Sequence, residues 1–237
     1  MSIWNYLKNR NYAIYSGEPS ACLLKSKEGS WFPGVRVENI SFPLTISPVQ
    51  AALVSCLSEG HSPKTVYFEN ENDIEAYWDH QLDLEWVVET PKGLEISNLY
   101  NPVRKMDSPL RIEEQLKKLK GRARVAESNY PVMAILKVPS GYITGVNIEF
   151  SDWHLGLCAE RTAIVKSFSA GISKFEHLYI HAPKGEFISP CGACRQVLVE
   201  HMADERLSLF HADGTRSSHF IKHLLPYNFQ SKSLANK

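Results

Sequence analysis

Two short stretches of this chain carry the residue types and spacing of a catalytic metal site. Cys158 opens a Cys-Ala-Glu-Arg stretch, and Cys191 and Cys194 follow in a Pro-Cys-Gly-Ala-Cys-Arg stretch. Cysteines at i and i+3 in the first turn of a helix point the same way, so this pair can hold one ion together with Cys158 from a neighbouring helix. Three thiolates leave the fourth tetrahedral position of a zinc ion to water, which is the arrangement of a catalytic site.

Glu160 follows Cys158 by two residues and is predicted to face the same ion from the first turn of its helix. Zinc lowers the pKa of a bound water to about 7, and a nearby carboxylate can take a proton from that water and deliver it to a substrate. Helix N-termini would offset the negative charge of the thiolates, and we expect Arg161 to donate a hydrogen bond to a ligand sulfur. A structural zinc knuckle is the alternative that a Cys-x-x-Cys pair alone would favour.

The composition excludes several classes of protein. The 237 residues contain 26 Lys plus Arg and 26 Asp plus Glu, so no net charge draws the chain to nucleic acid or to an anionic membrane. The sequence has no apolar run of about eighteen residues, and its first residues lack the apolar core of a signal peptide. Five cysteines, three of them required as thiolates, fit a reducing compartment. We therefore predict a cytoplasmic protein without disulfides, in which Cys22 and Cys56 belong to the core.

The chain contains an internal repeat. Shifting the sequence by 111 residues superimposes Gly34 on Gly145 and Glu38 on Glu149, and this one offset gives eight identities without a gap. Chance similarity of two unrelated strand–turn–helix units does not account for so regular a match, so we predict two copies of one fold. The matched residues in the first copy are Gly34, Val35, Glu38, Leu44, Ala52, Val54, Ser58 and Gly60.

The two copies differ at the residues that could do chemistry. Ser47 stands in the first copy where the second has Cys158, Val49 stands where it has Glu160, and no cysteine pair follows. The first copy is therefore expected to bind no catalytic zinc and to serve as a packing partner, with a possible share in the pocket wall. Residues 69–89, which replace the second cysteine motif, are rich in acids, and we interpret them as a solvated helix with two tryptophan anchors.

Turn signals between the copies indicate a domain boundary. Asn101-Pro102 and Ser108-Pro109 are breakers, so we place the boundary near residue 105. The predicted domains are residues 1–105, degenerate and non-catalytic, and residues 106–237, which bind zinc. Ser108 is expected to cap the first helix of the second domain.

Strands and helices alternate in the second copy. Paired strands are predicted near residues 132–138 and 143–148, metal-bearing helices over 158–168 and 191–201, and further strands at 178–181 and 207–212. This alternation indicates an α/β fold of two tandem three-layer α/β/α domains, each with a central mixed sheet. Metal ligands at helix starts beside strand ends place the pocket where such sheets bind ligands.

With these residues identified, the chain resembles the cytidine deaminases. The likeness runs from Ser128 to Val132, from Gly145 to Glu149, through both cysteine motifs and on to Leu224 to Phe229, and more faintly into the first copy. It implies zinc-dependent hydrolytic deamination of cytidine or deoxycytidine to uridine or deoxyuridine with release of ammonia, as in pyrimidine salvage. It also implies a small-molecule nucleoside substrate and one zinc ion per chain, held by Cys158, Cys191 and Cys194.

The resemblance further assigns the substrate contacts. Asn147 and Glu149 would bind the ribose hydroxyls, Tyr130 would line the base pocket, and the backbone at Ala159 would meet the pyrimidine carbonyl, with Glu160 as the proton shuttle. Alternate residues of a strand share one side, so an amide and a carboxylate there can bind two hydroxyls. At three positions this chain has a bulkier side chain than the family usually has, namely Met133, Phe150 and Trp153. The preferred nucleoside therefore stays open.

The same resemblance bears on assembly. The family contains homotetramers of short chains and dimers of double-length chains with one degenerate copy, and this chain combines the cysteine ligand of the first with the duplication of the second. We predict a homodimer that imitates the tetramer.

Three other functions stay open, namely deamination of another amino-heterocycle nucleoside, a polynucleotide-binding or editing deaminase, and a regulatory protein without activity. Balanced charge and the lack of a stacking platform count against polynucleotides, and an intact Glu160 counts against a regulatory role.

Overall fold

The computed structural model describes residues 1–105 and 111–229, so the predicted cap at Ser108 lies outside the described residues. The first half builds a mixed sheet of four strands in the order β2-β1-β3-β4, in which β3 and β4 are parallel and the other neighbours antiparallel. Its helices pack on β1 and β2. The elements of this half are α1 (Ile3–Lys8), β1 (Ala21–Ser26), β2 (Trp31–Val35), α2 (Pro48–Ser58), β3 (Pro63–Phe68) and β4 (Glu85–Val88).

The second half repeats this plan and extends it. Its sheet has five strands in the order β6-β5-β7-β8-β9, with β7 and β8 parallel and the other neighbours antiparallel. Between the parallel strands the chain forms a full helix, α5, at the point where the first half has short turns. The elements are α3 (Ile112–Lys118), β5 (Met133–Val138), β6 (Gly141–Val146), α4 (Ala159–Ser169), β7 (His177–His181), α5 (Gly192–Met202), β8 (Arg206–Phe210) and β9 (Arg216–Phe220).

Each half packs a helix directly against a glycine of its sheet. A Cβ atom at Gly145 in β6 would lie 2.1 Å from the carbonyl oxygen of Ala159 in α4, and one at Gly34 in β2 would lie 2.0 Å from that of Pro48 in α2. No side chain fits at such distances, so both positions require glycine. Gly34 and Gly145 are therefore identical in the two copies because a helix packs equally closely against a strand in each copy.

The two halves join through α2 and α4 in one continuous apolar core. Gln50 in α2 donates through Nε2 to the Leu155 carbonyl at 2.9 Å, and Arg161 in α4 donates through Nη2 to the Leu44 carbonyl at 2.9 Å. Gln50 and Arg161 are equivalent at the 111-residue offset, as are Leu44 and Leu155. These reciprocal contacts relate the halves by a pseudo-two-fold axis.

An ion pair is buried in the same joint. Lys166 in α4 is 2% exposed and contacts the carboxylate of Glu59 at the end of α2. Its Nζ also donates to the Thr144 carbonyl at 2.9 Å, and Arg122 pairs with Glu59 at 3.0 Å. The two halves are therefore held by a shared charge network as well as by apolar packing.

The acidic stretch of the first half is not the helix that its composition predicts. It forms short 3-10 turns at Glu71–Asp73 and Ala76–His80 before β4. Asn and Asp side chains bond to nearby backbone groups and so compete with a continuous helix. Trp78 is fully buried and is one of the two expected anchors, whereas Trp86 is half-buried on β4.

The remaining cysteines and the helix lengths complete the description. Cys22 and Cys56 are buried and free, as predicted for core residues. Within residues 1–105 and 111–229, none of the helices combines the length and the apolar character needed to cross a bilayer.

Candidate active site

The three predicted ligands converge where α4 and α5 begin. Cys158 is the N-cap residue of α4, and Cys191 is the N-cap residue of α5, where its sulfur accepts a hydrogen bond from the Cys194 amide at 3.4 Å. Cys194 lies one turn into α5 and is buried. The three sulfur atoms all lie within 4.8 Å of one another, with 3.8 Å between those of Cys158 and Cys191.

This donor set fits zinc. Sulfur atoms about 2.3 Å from a tetrahedral ion are about 3.8 Å apart, which is the separation found between Cys158 and Cys191. Cysteine thiolates are also a ligand type that zinc prefers. In the described parts of the chain, these cysteines form the one group of His, Cys, Asp or Glu side chains close enough to bind a metal.

Hydrogen bonding within the cluster favours the thiolate that zinc binding needs. The pKa of Cys191 lies well below its usual range, because the thiols of Cys158 and then Cys194 hydrogen-bond to its sulfur and backbone amides at the start of α5 add to this. The partial positive charge of the two helix N-termini acts in the same direction. The ionised form is therefore favoured at Cys191 alone, because the same hydrogen bonds, with Cys191 and with Cys158 respectively, raise the pKa of Cys158 and of Cys194.

Glu160 lies beside the ligands in the first turn of α4. It is 4% exposed, and burial raises its pKa to about 7. It nevertheless reaches the wall of the cavity that Cys158 and Cys191 also line. A carboxyl group so placed can exchange protons with a molecule in this cavity.

The cavity has a volume of about 380 Å³, which lies in the range of small-molecule sites. Its lining combines apolar side chains with the amide and carboxylate predicted to bind a sugar. Ala159 packs in the core, with its carbonyl facing Gly145. The lining residues are Ser128, Tyr130, Val132, Asn147, Glu149, Cys158, Glu160, Ile180, Ala182, Ile188, Ser189 and Cys191.

Asn147 and Glu149 follow β6 and hold the neighbouring loop. Asn147 accepts from the Val132 amide at 2.8 Å and donates to the Tyr130 carbonyl at 2.9 Å. Glu149 accepts from the Ser128 amide at 3.1 Å and from the Ser128 hydroxyl. Both side chains therefore line the cavity and also orient the segment that carries Tyr130, a second task that the sequence did not indicate.

Tyr130 closes the cavity against the segment that follows β7. Its hydroxyl donates to the Lys184 carbonyl at 2.9 Å, while the Lys184 ammonium donates to the Asn129 carbonyl at 2.5 Å. Gly185 has a φ of +88°, which favours glycine, and a Cβ atom there would also lie 3.1 Å from the Tyr130 hydroxyl. The glycine in Lys184-Gly185 was the one sequence signal for this contact.

Two arginines have roles other than those the motifs suggested. Arg161 was expected to bond a ligand sulfur, but its Nη2 donates to the Leu44 carbonyl, and its buried Nε has no hydrogen-bond partner among residues 1–105 and 111–229. The α4 helix turns this side chain toward the other half. Arg195 instead supports the ligand loop, because its Nε donates to the Pro190 carbonyl at 2.9 Å and its Nη2 to the Ser189 hydroxyl at 2.8 Å. Sequence reasoning missed Arg195 although it follows Cys194.

The equivalent place in the first half is filled by a carboxylate. Glu75 accepts hydrogen bonds from the Ser47 hydroxyl at 2.6 Å, the Tyr77 hydroxyl at 2.6 Å and the Trp78 indole at 3.1 Å. Ser47 occupies the position of Cys158 and caps α2 through the Gln50 amide at 3.2 Å. A satisfied hydrogen-bond network thus stands where the other half gathers its thiols.

Comparison with known protein families agrees with this geometry. Two family models match, both described as the cytidine and deoxycytidylate deaminase zinc-binding region, over residues 7–68 and residues 107–209. The chain belongs to this deaminase family. Both copies of the repeat match the family, including the copy that lacks the cysteine cluster, so the predicted α/β fold class and duplication are confirmed, as is a zinc-binding second half.

Individual relatives match about half of this chain each. A cytidine deaminase of Sporosarcina psychrophila is 37% identical over 121 residues, which is 50% of this chain and 89% of that protein. One of Halalkalibacterium halodurans is 34% identical over 131 residues, covering 54% of this chain and 98% of that protein. Among solved structures, cytidine deaminase from Burkholderia pseudomallei aligns with a TM-score of 0.49 at 30% identity, over 52% of this chain and 99% of that one.

Proposed function

We propose that the protein is a cytidine deaminase that hydrolyses cytidine or deoxycytidine to uridine or deoxyuridine and ammonia. The observation that carries the proposal is a cluster of three cysteine sulfurs that fits zinc, two of which line one cavity together with the buried carboxyl group of Glu160 and the side chains of Asn147 and Glu149. The proposal also rests on the curated cytidine deaminases that match half of this chain.

The cysteine cluster and Glu160 supply the groups that the reaction needs. Cys158, Cys191 and Cys194 would hold zinc, which when bound supplies Lewis-acid activation of water. Glu160 accepts a proton from the attacking water, delivers it to the ring nitrogen beside the amine-bearing carbon, and then transfers the second water proton to the amino group. The new carbon–oxygen bond replaces the carbon–nitrogen bond, and the amine leaves as ammonia.

The rest of the cavity recognises and orients the nucleoside. Contacts to the loop that carries Tyr130 use only some of the hydrogen-bond donors and acceptors of Asn147 and Glu149. The remaining ones would bind the ribose hydroxyls. Tyr130 would pack beside the base, and the backbone at Ala159 would meet the pyrimidine carbonyl. Arg161 would act at the joint between the halves, since its observed partner is the Leu44 carbonyl.

We further propose the division of labour between the copies. Residues 106–237 form the catalytic domain, and residues 1–105 form a non-catalytic domain whose metal position is taken by Glu75. Free cysteines as zinc ligands suit a reducing compartment, which supports a cytoplasmic location.

A homodimer completes the proposal. Phe42 is 83% exposed and Trp153 is 69% exposed, and the two residues are equivalent at the repeat offset. Two large aromatic side chains at matching places on the surface support an interface between copies of this chain. The dimer would bring four copies of the fold together, as in the tetramers that the family resemblance implies.

Ammonia release from a nucleoside panel tests the function. Wild type should release ammonia from cytidine or deoxycytidine, and Glu160→Gln should lose about 10²- to 10⁴-fold in turnover because general acid–base catalysis is removed. Elemental analysis should find zinc in both proteins, since glutamine at this position removes no ligand. The proposal is wrong if folded, zinc-loaded wild type deaminates no nucleoside of the panel.

A further inference from the structure

A segment of the non-catalytic half reaches over and holds the loop that connects two parts of the candidate active site. This loop, residues 149–157, begins at Glu149 and leads to Cys158. Its base is closed by paired backbone hydrogen bonds between Ile148 and Leu157 at 3.0 and 2.9 Å. The loop therefore connects the carboxylate that we propose binds the sugar directly to the first metal ligand, and its tip has to be held by other contacts.

The tip of this loop is bound by residues 78–81 of the first half. Gln81 accepts from the Ser151 hydroxyl at 3.1 Å and from the Asp152 amide at 3.3 Å, and its Nε2 donates to the Asp152 carboxylate at 2.9 Å. Trp78 packs edge-on against Phe150, with 5.2 Å between ring centroids. Consecutive residues directly after Glu149 are thus held by one short segment.

The holding segment is itself anchored. Glu75 binds the Trp78 indole at 3.1 Å and the Ser47 hydroxyl at 2.6 Å, which ties the segment to the N-terminus of α2. Gln50 in the same turn of α2 donates to the Leu155 carbonyl at 2.9 Å and so holds the far side of the loop. The network that replaced a metal site in the first half therefore ends on the loop of the second.

The second half makes an equivalent contact to the first half, so binding of the other half by the segment between the parallel strands is a property of the repeat. Glu200 in α5 accepts from the Ile40 amide at 2.9 Å and from the Tyr15 hydroxyl at 2.8 Å, both in the first half. In each half, the segment between the two parallel strands therefore binds the other half. The first half has lost the thiols of that segment but has kept this contact.

We propose that Trp78 and Gln81 are positioning residues for the nucleoside site, which set the placement of Glu149 relative to Cys158 by holding residues 150–152. The proposal rests on the proposed function, because its consequence is measured on nucleoside binding. Neither residue touches the reacting atoms, so the effect must appear in substrate affinity before it appears in the chemical step.

Gln81→Ala is the test variant, since Gln81 is partly exposed and its truncation removes three hydrogen bonds without opening the core. We expect the KM for cytidine and the Kd for the product uridine, measured by calorimetry, to rise about five- to tenfold, the equivalent of one net hydrogen bond. The kcat should stay within about twofold of wild type, zinc content should be unchanged, and the melting temperature should fall by only about 2–4 °C. Trp78→Phe keeps a ring against Phe150 and should give a smaller rise.

Tyr15→Phe is the matched control, because it also removes a hydrogen bond between the halves but on the side of the idle copy. It should leave the KM and the uridine Kd unchanged. In a double-mutant cycle, Asp152→Ala should add little to Gln81→Ala if the two side chains act through their contact. An unchanged KM and Kd in active Gln81→Ala, or an equal rise in Tyr15→Phe, would overturn the proposal. Failure of the proposed function would appear separately, as absence of turnover in wild type.

Discussion

Gly34 and Gly145, which lie under α2 and α4, allow the effect of a helix displacement on stability to be separated from its effect on catalysis. In Gly145→Ala the new Cβ would lie 2.1 Å from the Ala159 carbonyl oxygen and 2.7 Å from the Ala163 amide nitrogen. In Gly34→Ala it would lie 2.0 Å from the Pro48 carbonyl oxygen. Ordinary contact begins near 3.4 Å, and backbone atoms cannot swing aside, so each helix must retreat by roughly 1 Å.

The two substitutions should cost similar stability but differ in chemistry. Overpacking of this kind costs about 1–3 kcal/mol, and both variants should show it in urea unfolding. Only Gly145→Ala moves α4, whose first turn carries Glu160 and whose cap is Cys158. A displacement of about 1 Å can reduce turnover on the order of 10²-fold, and it would also spread the 3.8 Å sulfur separation that suits zinc.

The assay compares zinc retention against a chelator and kcat/KM for cytidine, at a temperature where both variants are folded. Gly145→Ala should lose zinc more readily and turn over about 10²-fold more slowly. Gly34→Ala moves α2, whose Gln50 holds the loop at Leu155, so it should retain zinc and kcat and lose at most about tenfold in kcat/KM, through KM. Equal losses of activity in both variants would refute the reasoning, because the idle copy would then be as closely coupled to the chemistry as the active one. If both variants had the same free energy of unfolding as wild type, the predicted clash between the added Cβ and the helix backbone would be refuted.

Two further predictions concern the joint and the assembly. Glu59→Gln leaves the buried Lys166 ammonium without its carboxylate and should destabilise the protein by about 3–5 kcal/mol at pH 7. Burial lowers the pKa of Lys166, so this lysine is more easily deprotonated in the folded state than in the unfolded chain. The difference in free energy of unfolding between wild type and Glu59→Gln should therefore narrow as pH rises toward about 10.4, the pKa of lysine in the unfolded chain. Urea unfolding at pH 7 and pH 10 checks both parts, and a deficit that widens at high pH would contradict the account. Trp153→Ser combined with Phe42→Ser should convert a dimer into a monomer in light scattering, and a monomeric wild type would remove the dimer.

Much of the architecture could be predicted from local sequence. The offset of 111 residues identified the duplication, and both metal-bearing helices begin within one residue of the predicted position, at Ala159 and Gly192. The strand and helix periodicities are local properties, so they survive without knowledge of the partner half. The acidic stretch was predicted wrongly because charge pattern alone does not distinguish a solvated helix from consecutive turns, and its Asn and Asp residues favour turns.

Some parts of the candidate site could be predicted from the sequence and others could not. The gathering of Cys158, Cys191 and Cys194 follows from motif spacing, because an N-cap cysteine and a cysteine three residues later share one side of a helix start. The partner of Arg161 was not predictable, since the Leu44 carbonyl lies 117 residues away and is brought near only by the packing of the halves. Contacts of this length depend on how two helices cross, which local patterns do not encode.

The amino-acid sequence by itself determined which atoms could do chemistry and in which copy. Thiol and carboxyl groups are properties of residue type, and Ser47 and Val49 leave the first copy without them at the positions of Cys158 and Glu160, whatever its conformation. The tertiary structure alone decided what the first copy does instead, because Trp78 and Gln81 reach the loop after Glu149 only when α2 and α4 pack together. Chemistry is local to side chains, whereas positioning depends on distances between segments far apart in the chain.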